Sequence, residues 1–232
     1  MDKIPGEDHS QSTAQALLEI LESAQIQGVY PEGLDGLCCG TPYSSKGFDD
    51  PYRTMAALTV EALYNASDGG RLTVLVDTSP CTYKIKHYDD ILEGDSLEKW
   101  RKLQIADIIE YLHDTVLPRL ELHPLDTGVV LHPTCSSRKM GLESKMVAIA
   151  AMCSAEGVVP EDIGCCGFAG DRGFLHPELT ESATRSEALE VAGMGQRGGH
   201  YSTSRTCEVG MSTATEQPYS SIIHLVRKAL AD

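Results

Sequence analysis

Apolar positions along this chain follow two rhythms that alternate. Short runs of β-branched and aliphatic residues read as buried strands, and longer stretches repeat their apolar residues at helical spacing. In the second half, Thr127 to His132 (TGVVLH) predicts a strand ending near Cys135. Met140 to Ala155 predicts a helix with Met146, Ile149, Ala150 and Cys153 on one face. Gly157 to Pro160 predicts a short strand before Cys165-Cys166. Pro177 suits a first helical position, where its missing N–H costs nothing, and that helix runs to about Val191. A strand at Gly199 to Ser202 then leads to Cys207, and a last helix covers Tyr219 to Leu230.

The first half predicts the same order without its opening strand. Ser12 to Ala24 is a helix (Leu17, Leu18, Leu21), Val29 to Pro31 a strand, and Cys38-Cys39 follow. Pro51 opens a helix to about Asn65; Arg71 to Asp77 (RLTVLVD) is a strand, and Cys81 follows. Leu97 to Leu117 reads as one helix through Trp100, Leu103, Ile108 and Leu112, with Pro118 at its end. Strands alternating with helices imply parallel sheets, with ligands beyond the strand carboxyl ends. The cysteines fall at those ends.

Local phrases repeat as well. CCG occurs at 38–40 and 165–167, an offset of 127, and the later Cys81 and Cys207 are offset by 126. GVYPEGLDG and GVVPEDIG precede the two CCG phrases. Lys46-Gly47-Phe48 to Pro51 matches Arg172-Gly173-Phe174 to Pro177, and Ile108-Ile109 matches Ile222-Ile223. Such agreement marks a duplication. The expected fold is α/β: two duplicated Rossmann-like units with mostly parallel sheets, 1–122 and 123–232, the first truncated at its N-terminus. Its opening strand and the partner of Cys135 would precede Met1.

Composition narrows the function. The chain has 232 residues, 41% hydrophobic and 23% charged, enough for a sizeable core without disulfides. Net charge is −15, which argues against nucleic-acid or anionic-membrane binding as the main task. The most apolar stretch, Met146 to Cys153, is far short of the roughly 20 residues a membrane span needs. The polar start MDKIPGEDHSQST is no secretory signal, so the eight cysteines are expected in a reducing compartment. There, clustered cysteines act more often as metal ligands or catalytic groups than as disulfides.

Cys135, Cys165, Cys166 and Cys207 offer four thiolates from three loops, a set that suits an iron–sulfur cluster or tetrahedral zinc. Adjacent cysteines favour a cluster, since neighbouring side chains can reach different irons; structural zinc sites usually space paired cysteines further apart. A third possibility is thiol chemistry, with Cys165-Cys166 as a redox pair. The first half keeps three candidates, Cys38, Cys39 and Cys81. Cys153 has no counterpart and lies on an apolar helix face, so it reads as core. Lys46, Lys84, Lys86, Arg138, Lys139, Arg172 and Arg205 lie within about seven residues of a clustered cysteine, where bases stabilise thiolates. Gly40 and Gly167 allow close backbone approach to a cluster. His132, His176 and His200 lie near the cysteine loops and read as supporting or surface residues. Gly193, Gly195 and Gly198 spell GxGxxG, but after a helix and before a strand, the reverse of a dinucleotide site.

The two CCG phrases resemble the cysteine-rich CCG domain family, found in heterodisulfide reductases, glycolate and glycerol-3-phosphate dehydrogenases and lactate-utilisation proteins. GLDGLCCGTPYSSKGF, DTSPCT, LHPTCSSRKMG, GCCGFAGDRGFLHPELT and HYSTSRTCEVGMS are similar to the C-terminal region of bacterial FAD-linked, iron–sulfur-containing D-lactate dehydrogenases. The resemblance implies an electron-transfer module with a 4Fe-4S cluster, lost or replaced by zinc where the chain is handled in air. It implies FAD only in a missing N-terminal part. Flavin and ferredoxin-like domains of the parent enzyme and a cytochrome or quinone acceptor are the implied partners. The implied location is cytoplasmic, peripheral at the inner face of the membrane through that enzyme. Thr78 and Ser204 stand where the family pattern has the first cysteine of CxxC. By this resemblance the chain is a C-terminal piece or a late-started reading frame.

Overall fold

The computed structural model describes residues 11–230 except Glu32 and Asp35. Most of the polar N-terminal phrase and two positions of GVYPEGLDG lie outside the described residues. The chain divides into two compact units, a smaller one spanning Val29–Ile108 and a larger one holding residues 11–28 with 109–230.

The larger unit is built on a sheet of four short parallel strands. In chain order these are β3 (Val129–Leu131), β4 (Gly157–Val158), β5 (His200–Ser202) and β6 (Tyr219–Ser221), arranged β4-β3-β5-β6; β1 (Thr73–Val76) and β2 (Gln104–Asp107) belong to the smaller unit. All three pairings are parallel. The chain passes from β3 to β4 on one side, then crosses to β5 on the other. That reversal beside β3 is a topological switch point, where open α/β sheets place their sites. The β3 residues Val129, Val130 and Leu131 are fully buried, as expected for a strand covered on both faces. Helix Glu143–Cys153 buries Met146, Ile149, Ala150 and Cys153, the face the sequence pattern marked.

Gly193, Gly195 and Gly198 lie at the end of helix Pro177–Gly193 and in the loop before β5, as the sequence order implied. The final segment begins as strand: β6 covers Tyr219–Ser221, and the helix runs Ile222–Ala229. Ser221 Oγ accepts from the Ile223 N–H at 3.3 Å and caps that helix, so the chain changes from strand to helix at one residue.

Helix Thr13–Ser23, capped by Ser12, packs in the larger unit on the C-terminal helix Ile222–Ala229. Thr13 Oγ1 lies 3.1 Å from His224 Nε2, and Arg227 Nε donates to Glu19 Oε2 at 2.7 Å. The sequence repeat therefore changes hands at 122, whereas the packing joins the first helix to the last.

The smaller unit has a two-stranded parallel sheet, β1 (Thr73–Val76) with β2 (Gln104–Asp107). β2 corrects the expected helix Leu97 to Leu117. A helix spans only Gly94–Trp100; the chain then extends, pairs Thr73 with Gln104 through Val76 with Asp107, and turns helical again at Ile108. Pairing with β1 overrode the local helical spacing. Trp100 Nε1 donates to Ile85 O at 2.7 Å where the shortened helix ends. In repeat terms β1 and β2 match β5 and β6, each pair ending before an Ile-Ile step. The expected strand Val29 to Pro31 does not form. Val29 and Tyr30 are 71% and 67% exposed, and the smaller unit's described residues hold no counterpart of β3 for it to pair with. Its core is Tyr52, Ala56, Val60, Ile85, Tyr88 and Leu92, with Cys39 among them.

Ile20 is fully buried on helix Thr13–Ser23. Ile20→Ala is expected to lower the unfolding free energy of the larger unit by about 2–5 kcal/mol. Chemical denaturation followed by hydrogen exchange at β3 and β5 checks this; an unchanged midpoint there would detach the first helix from the larger unit.

Candidate metal centre

Three strand ends deliver the four cysteines of the second repeat. β3 ends at Leu131, and Cys135 opens the helix Cys135–Lys139, whose N-cap Thr134 accepts from the Ser137 N–H at 3.1 Å. β4 ends at Val158, ahead of the loop with Cys165 and Cys166. β5 ends at Ser202, and Cys207 sits in the first turn of helix Arg205–Thr215, whose N-cap is Ser204. A helix N-terminus favours a thiolate at Cys207.

The thiols meet as a chain. Cys135 interacts with Cys165, Cys165 with Cys166, and Cys166 with Cys207. Cys166 Sγ and Cys207 Sγ are 3.0 Å apart and both buried, while Cys135 and Cys165 are exposed. Phe168 and Val209 pack against the buried pair. The set thus has a dry end and a wet end.

Electrostatics alternates along it. Hydrogen bonding from Cys135 and then Cys166, with help from the Gly167 N–H, holds the Cys165 thiol far below the usual thiol range. Cys166 is pushed far up, chiefly by Cys165 and Cys207, and Cys135 is pushed up chiefly by Cys165. Cys166 and, beyond it, His132 bring Cys207 down to about 6 against its burial. The four sulfurs are thus coupled, each raising or lowering its neighbours.

The CCG glycine has a defined task in both repeats. Gly167 N donates to Cys165 Sγ at 3.4 Å, and Gly40 N donates to Cys38 Sγ at the same distance. Each glycine is left-handed, φ 78° and 81°. A Cβ at Gly167 would stand 2.9 Å from Leu179 O and from Thr180 Cα. Both the turn and the tight packing require glycine.

In the smaller unit Cys38, Cys39 and Cys81 also gather. Cys39 interacts with Cys38, which lowers its thiol pKa, and with Cys81 and its own burial, which together push it up. Thr59 Oγ1 donates to Cys38 O at 3.1 Å and Tyr88 Oη to Cys39 O at 3.1 Å, fixing this loop from its backbone.

The bases are less directed than their sequence positions suggested. Arg138 Nε pairs with Glu143 at 3.2 Å, and its Nη1 donates to Ile163 O at 3.3 Å. Arg205 lies 3.5 Å from Glu208, and Arg172 opens the short helix Arg172–Leu175. Lys84 Nζ lies 4.2 Å over the Tyr52 ring and 3.7 Å from Asp90. His176 is exposed beside Glu178; His200 is buried against the Tyr219 ring, where burial and then Arg197 bring it down to about 4. Cys153 is fully buried, and burial alone pushes its thiol up to about 12.

His132 belongs to the site. It follows β3 directly, is fully buried, and its Nδ1 lies 2.7 Å from Oε1 of buried Glu187. Burial pulls its pKa down, but Cys207 and Glu187 carry it up to about 9. Its Nε2 is buried and faces the Cys207 sulfur, with which the ring interacts. Sequence reasoning passed over Glu187. Its signal was a carboxylate on the buried stripe Thr180, Thr184, Glu187 and Val191 of helix Pro177–Gly193.

The donor set has the chemistry of an iron–sulfur site: four sulfurs beside one imidazole, with no carboxylate among the sulfurs. Its spacing is that of thiols hydrogen-bonded to one another. No three His, Cys, Asp or Glu side chains among the described residues stand at metal-site spacing. The 3.0 Å sulfur contact is shorter than the roughly 3.8 Å that tetrahedral zinc with ~2.3 Å bonds imposes, and thiolates on different irons stand farther apart still, so these sulfurs must draw apart to hold either group.

Comparison with known proteins agrees with the duplication. A cysteine-rich domain model, CCG, matches residues 5–86 and again 129–210. One subunit of the anaerobic glycerol-3-phosphate dehydrogenase of Escherichia coli is 28% identical over 138 residues, 59% of this chain and 35% of that protein. The glycolate oxidase iron-sulfur subunit of Escherichia coli is 23% identical over 228 residues, 95% of this chain and 55% of that protein. Lactate utilization protein A of Oceanobacillus iheyensis is 24% identical over 185 residues, 75% of this chain and 72% of that protein. The chain thus spans about a third to a half of the length of the first two of these relatives. With both repeats matched across most of its length, the chain belongs to the CCG cysteine-rich domain family.

Proposed function

We propose that this chain is an iron–sulfur electron-transfer module of a flavin-linked D-2-hydroxyacid dehydrogenase, with D-lactate the substrate of the whole enzyme. The observation that carries the reading is the convergence of Cys135, Cys165, Cys166 and Cys207 at the carboxyl ends of three parallel strands. The relatives' names support the class: one is an iron-sulfur subunit of a glycolate oxidase, one a subunit of a glycerol-3-phosphate dehydrogenase, one a lactate utilization protein.

These four cysteines would hold a 4Fe-4S cluster, which supplies one-electron acceptance and release. The chain's own residues set its environment. The Gly167 N–H donates toward the Cys165 sulfur, which favours the reduced, more negative state. Phe168 and Val209 keep water from the Cys166–Cys207 end, so electrons pass by the exposed Cys135–Cys165 end. In this reading the flavin and ferredoxin-like domains of the parent enzyme deliver electrons there, and a cytochrome or quinone takes them away. No helix among the described residues is long and apolar enough to cross a membrane. The reading places the chain in the cytoplasm, at the inner membrane face through its parent enzyme. The module has no part in the hydroxy-acid chemistry itself.

A second reading draws on the same contact. Loss of two electrons and two protons to a disulfide oxidant would join the buried Cys166 and Cys207 sulfurs, already 3.0 Å apart, by thiol–disulfide exchange.

Anaerobically purified chain is expected to be brown and bleached by dithionite. Cys166→Ser and Cys207→Ser should each abolish the colour, while Cys153→Ser keeps it. Colourless protein with stoichiometric zinc would replace this reading with a structural module. Metal-free protein that forms the Cys166–Cys207 disulfide would favour the second reading. The chain alone should not oxidise D-lactate; turnover without an added flavoprotein would contradict the assignment. Gly167→Ala forces a side chain into a left-handed, crowded position, and should cost about 1–3 kcal/mol of stability. It should also speed cluster loss in air, measured by the decay of visible absorbance, whereas Gly193→Ala, where a Cβ meets nothing, should do neither.

A further inference from the structure

The two repeats cover their long helices differently. In the first repeat, residues 86–103 separate helix Ser79–Ile85 from β2; in the second, only residues 216–218 separate helix Arg205–Thr215 from β6. The extra segment of the first repeat is a lid within the smaller unit. Tyr88 and Leu92 are buried in its core, helix Gly94–Trp100 packs on helix Asp49–Ala66, and Trp100 Nε1 donates to Ile85 O. Lys99 Nζ donates to Glu61 of the long helix at 2.6 Å, and Lys99 and Lys102 lie 5.8 and 5.7 Å from the Tyr64 ring centre.

The long helix of the second repeat lacks such a lid. Counted from their first residues, buried Tyr52, Ala56 and Thr59 of Asp49–Ala66 fall on buried Thr180, Thr184 and Glu187 of Pro177–Gly193. The same register places Glu61 and Tyr64, which the lid contacts, on Leu189 and Ala192. Those two line an open groove of about 820 Å³ between helices Pro177–Gly193 and Arg205–Thr215, together with Phe174, Val209 and Ala214. Leu189 is 72% exposed and Phe174 44%. A single exposed leucine needs no explanation, but large apolar side chains gathered in one groove mark a contact surface.

The lid shows what chemistry fits there. Its Leu97, Trp100 and Leu103 alternate with Lys99, Arg101 and Lys102. The groove has the complementary charge: Glu181 and Glu216 line it, and its Arg185 lies 3.9 Å from Glu181. A second copy of this chain would bring a net charge of −15 against −15, which opposes self-association. We infer that the groove docks a short helix of a partner protein, with apolar residues around an aromatic anchor and lysine or arginine beside them, in the place the lid takes in the first repeat. Phe168 lines the groove and also packs on the Cys166–Cys207 pair, so one side chain separates the docked helix from the buried sulfurs. Docking there does not depend on what the sulfurs hold.

The probe is a fluorescently labelled synthetic peptide, Gly94–Leu103 of this chain (GDSLEKWRKL), titrated against the full chain and followed by anisotropy. Saturable one-to-one binding is expected. It should weaken at least about tenfold with Leu189→Asp in the chain, and by as much with Trp100→Ala, or with Lys99→Glu and Lys102→Glu together, in the peptide. Leu58→Asp, at a half-exposed leucine on the long helix of the first repeat, should leave binding unchanged. Absence of saturable binding, undiminished binding to the Leu189→Asp chain, or equal binding of the charge-reversed peptide overturns the assignment. So does a chain that sediments as a dimer until Leu189 is replaced, which would make a second copy the occupant. The peptide variants leave the chain itself unaltered, so misfolding cannot mask the answer.

Discussion

Everything in the candidate site depends on three parallel strands ending at one edge of a sheet. β3 lies between β4 and β5, and each of the three is only two or three residues long. Parallel pairing makes their carboxyl ends coincide, so loops distant in sequence open side by side. Cys135, Cys165, Cys166 and Cys207 need no long loop to meet. An antiparallel strand at β4 or β5 would send its cysteines to the opposite edge. The hydrophobic burial that fixes β3 is thus also what gathers the sulfurs.

Gathering four sulfurs creates an electrostatic problem that the chain answers locally. The sulfurs share hydrogen bonds along the chain of contacts, which lowers Cys165 and raises Cys166. The Gly167 N–H lowers Cys165, and His132 lowers Cys207. Arg138 and Arg205 instead pair with glutamates. Cys153 shows the contrast: it has the same side chain and full burial, and burial alone pushes its thiol up to about 12.

Much of this was legible in the sequence. CCG recurs with a following glycine because a left-handed turn must bring an N–H onto the preceding sulfur, and the same 3.4 Å contact appears in both repeats. β-branched runs revealed β1 and β3, and helical spacing revealed the buried face of Glu143–Cys153. What failed was whatever only long-range pairing decides. Gln104 to Asp107 fitted a helical spacing until β1 offered it a ladder. Val29 to Pro31 looked like a strand but found no partner. Helix Thr13–Ser23 has a sound cap and apolar face, yet nothing local states that its partner lies some two hundred residues away. Glu187 was hidden because a carboxylate on a helix reads as surface until its stripe is known to be buried.

Whether the sulfurs of the second repeat hold iron decides between the electron-transfer module and its rivals. Iron and acid-labile sulfide should be measured per chain in anaerobically prepared protein, and again after Cys135→Ser combined with Cys207→Ser. The expected result is both elements in the native chain and loss of both from the second repeat in the double variant. A native chain containing neither, or zinc alone, or a double variant with undiminished iron and sulfide, would contradict it.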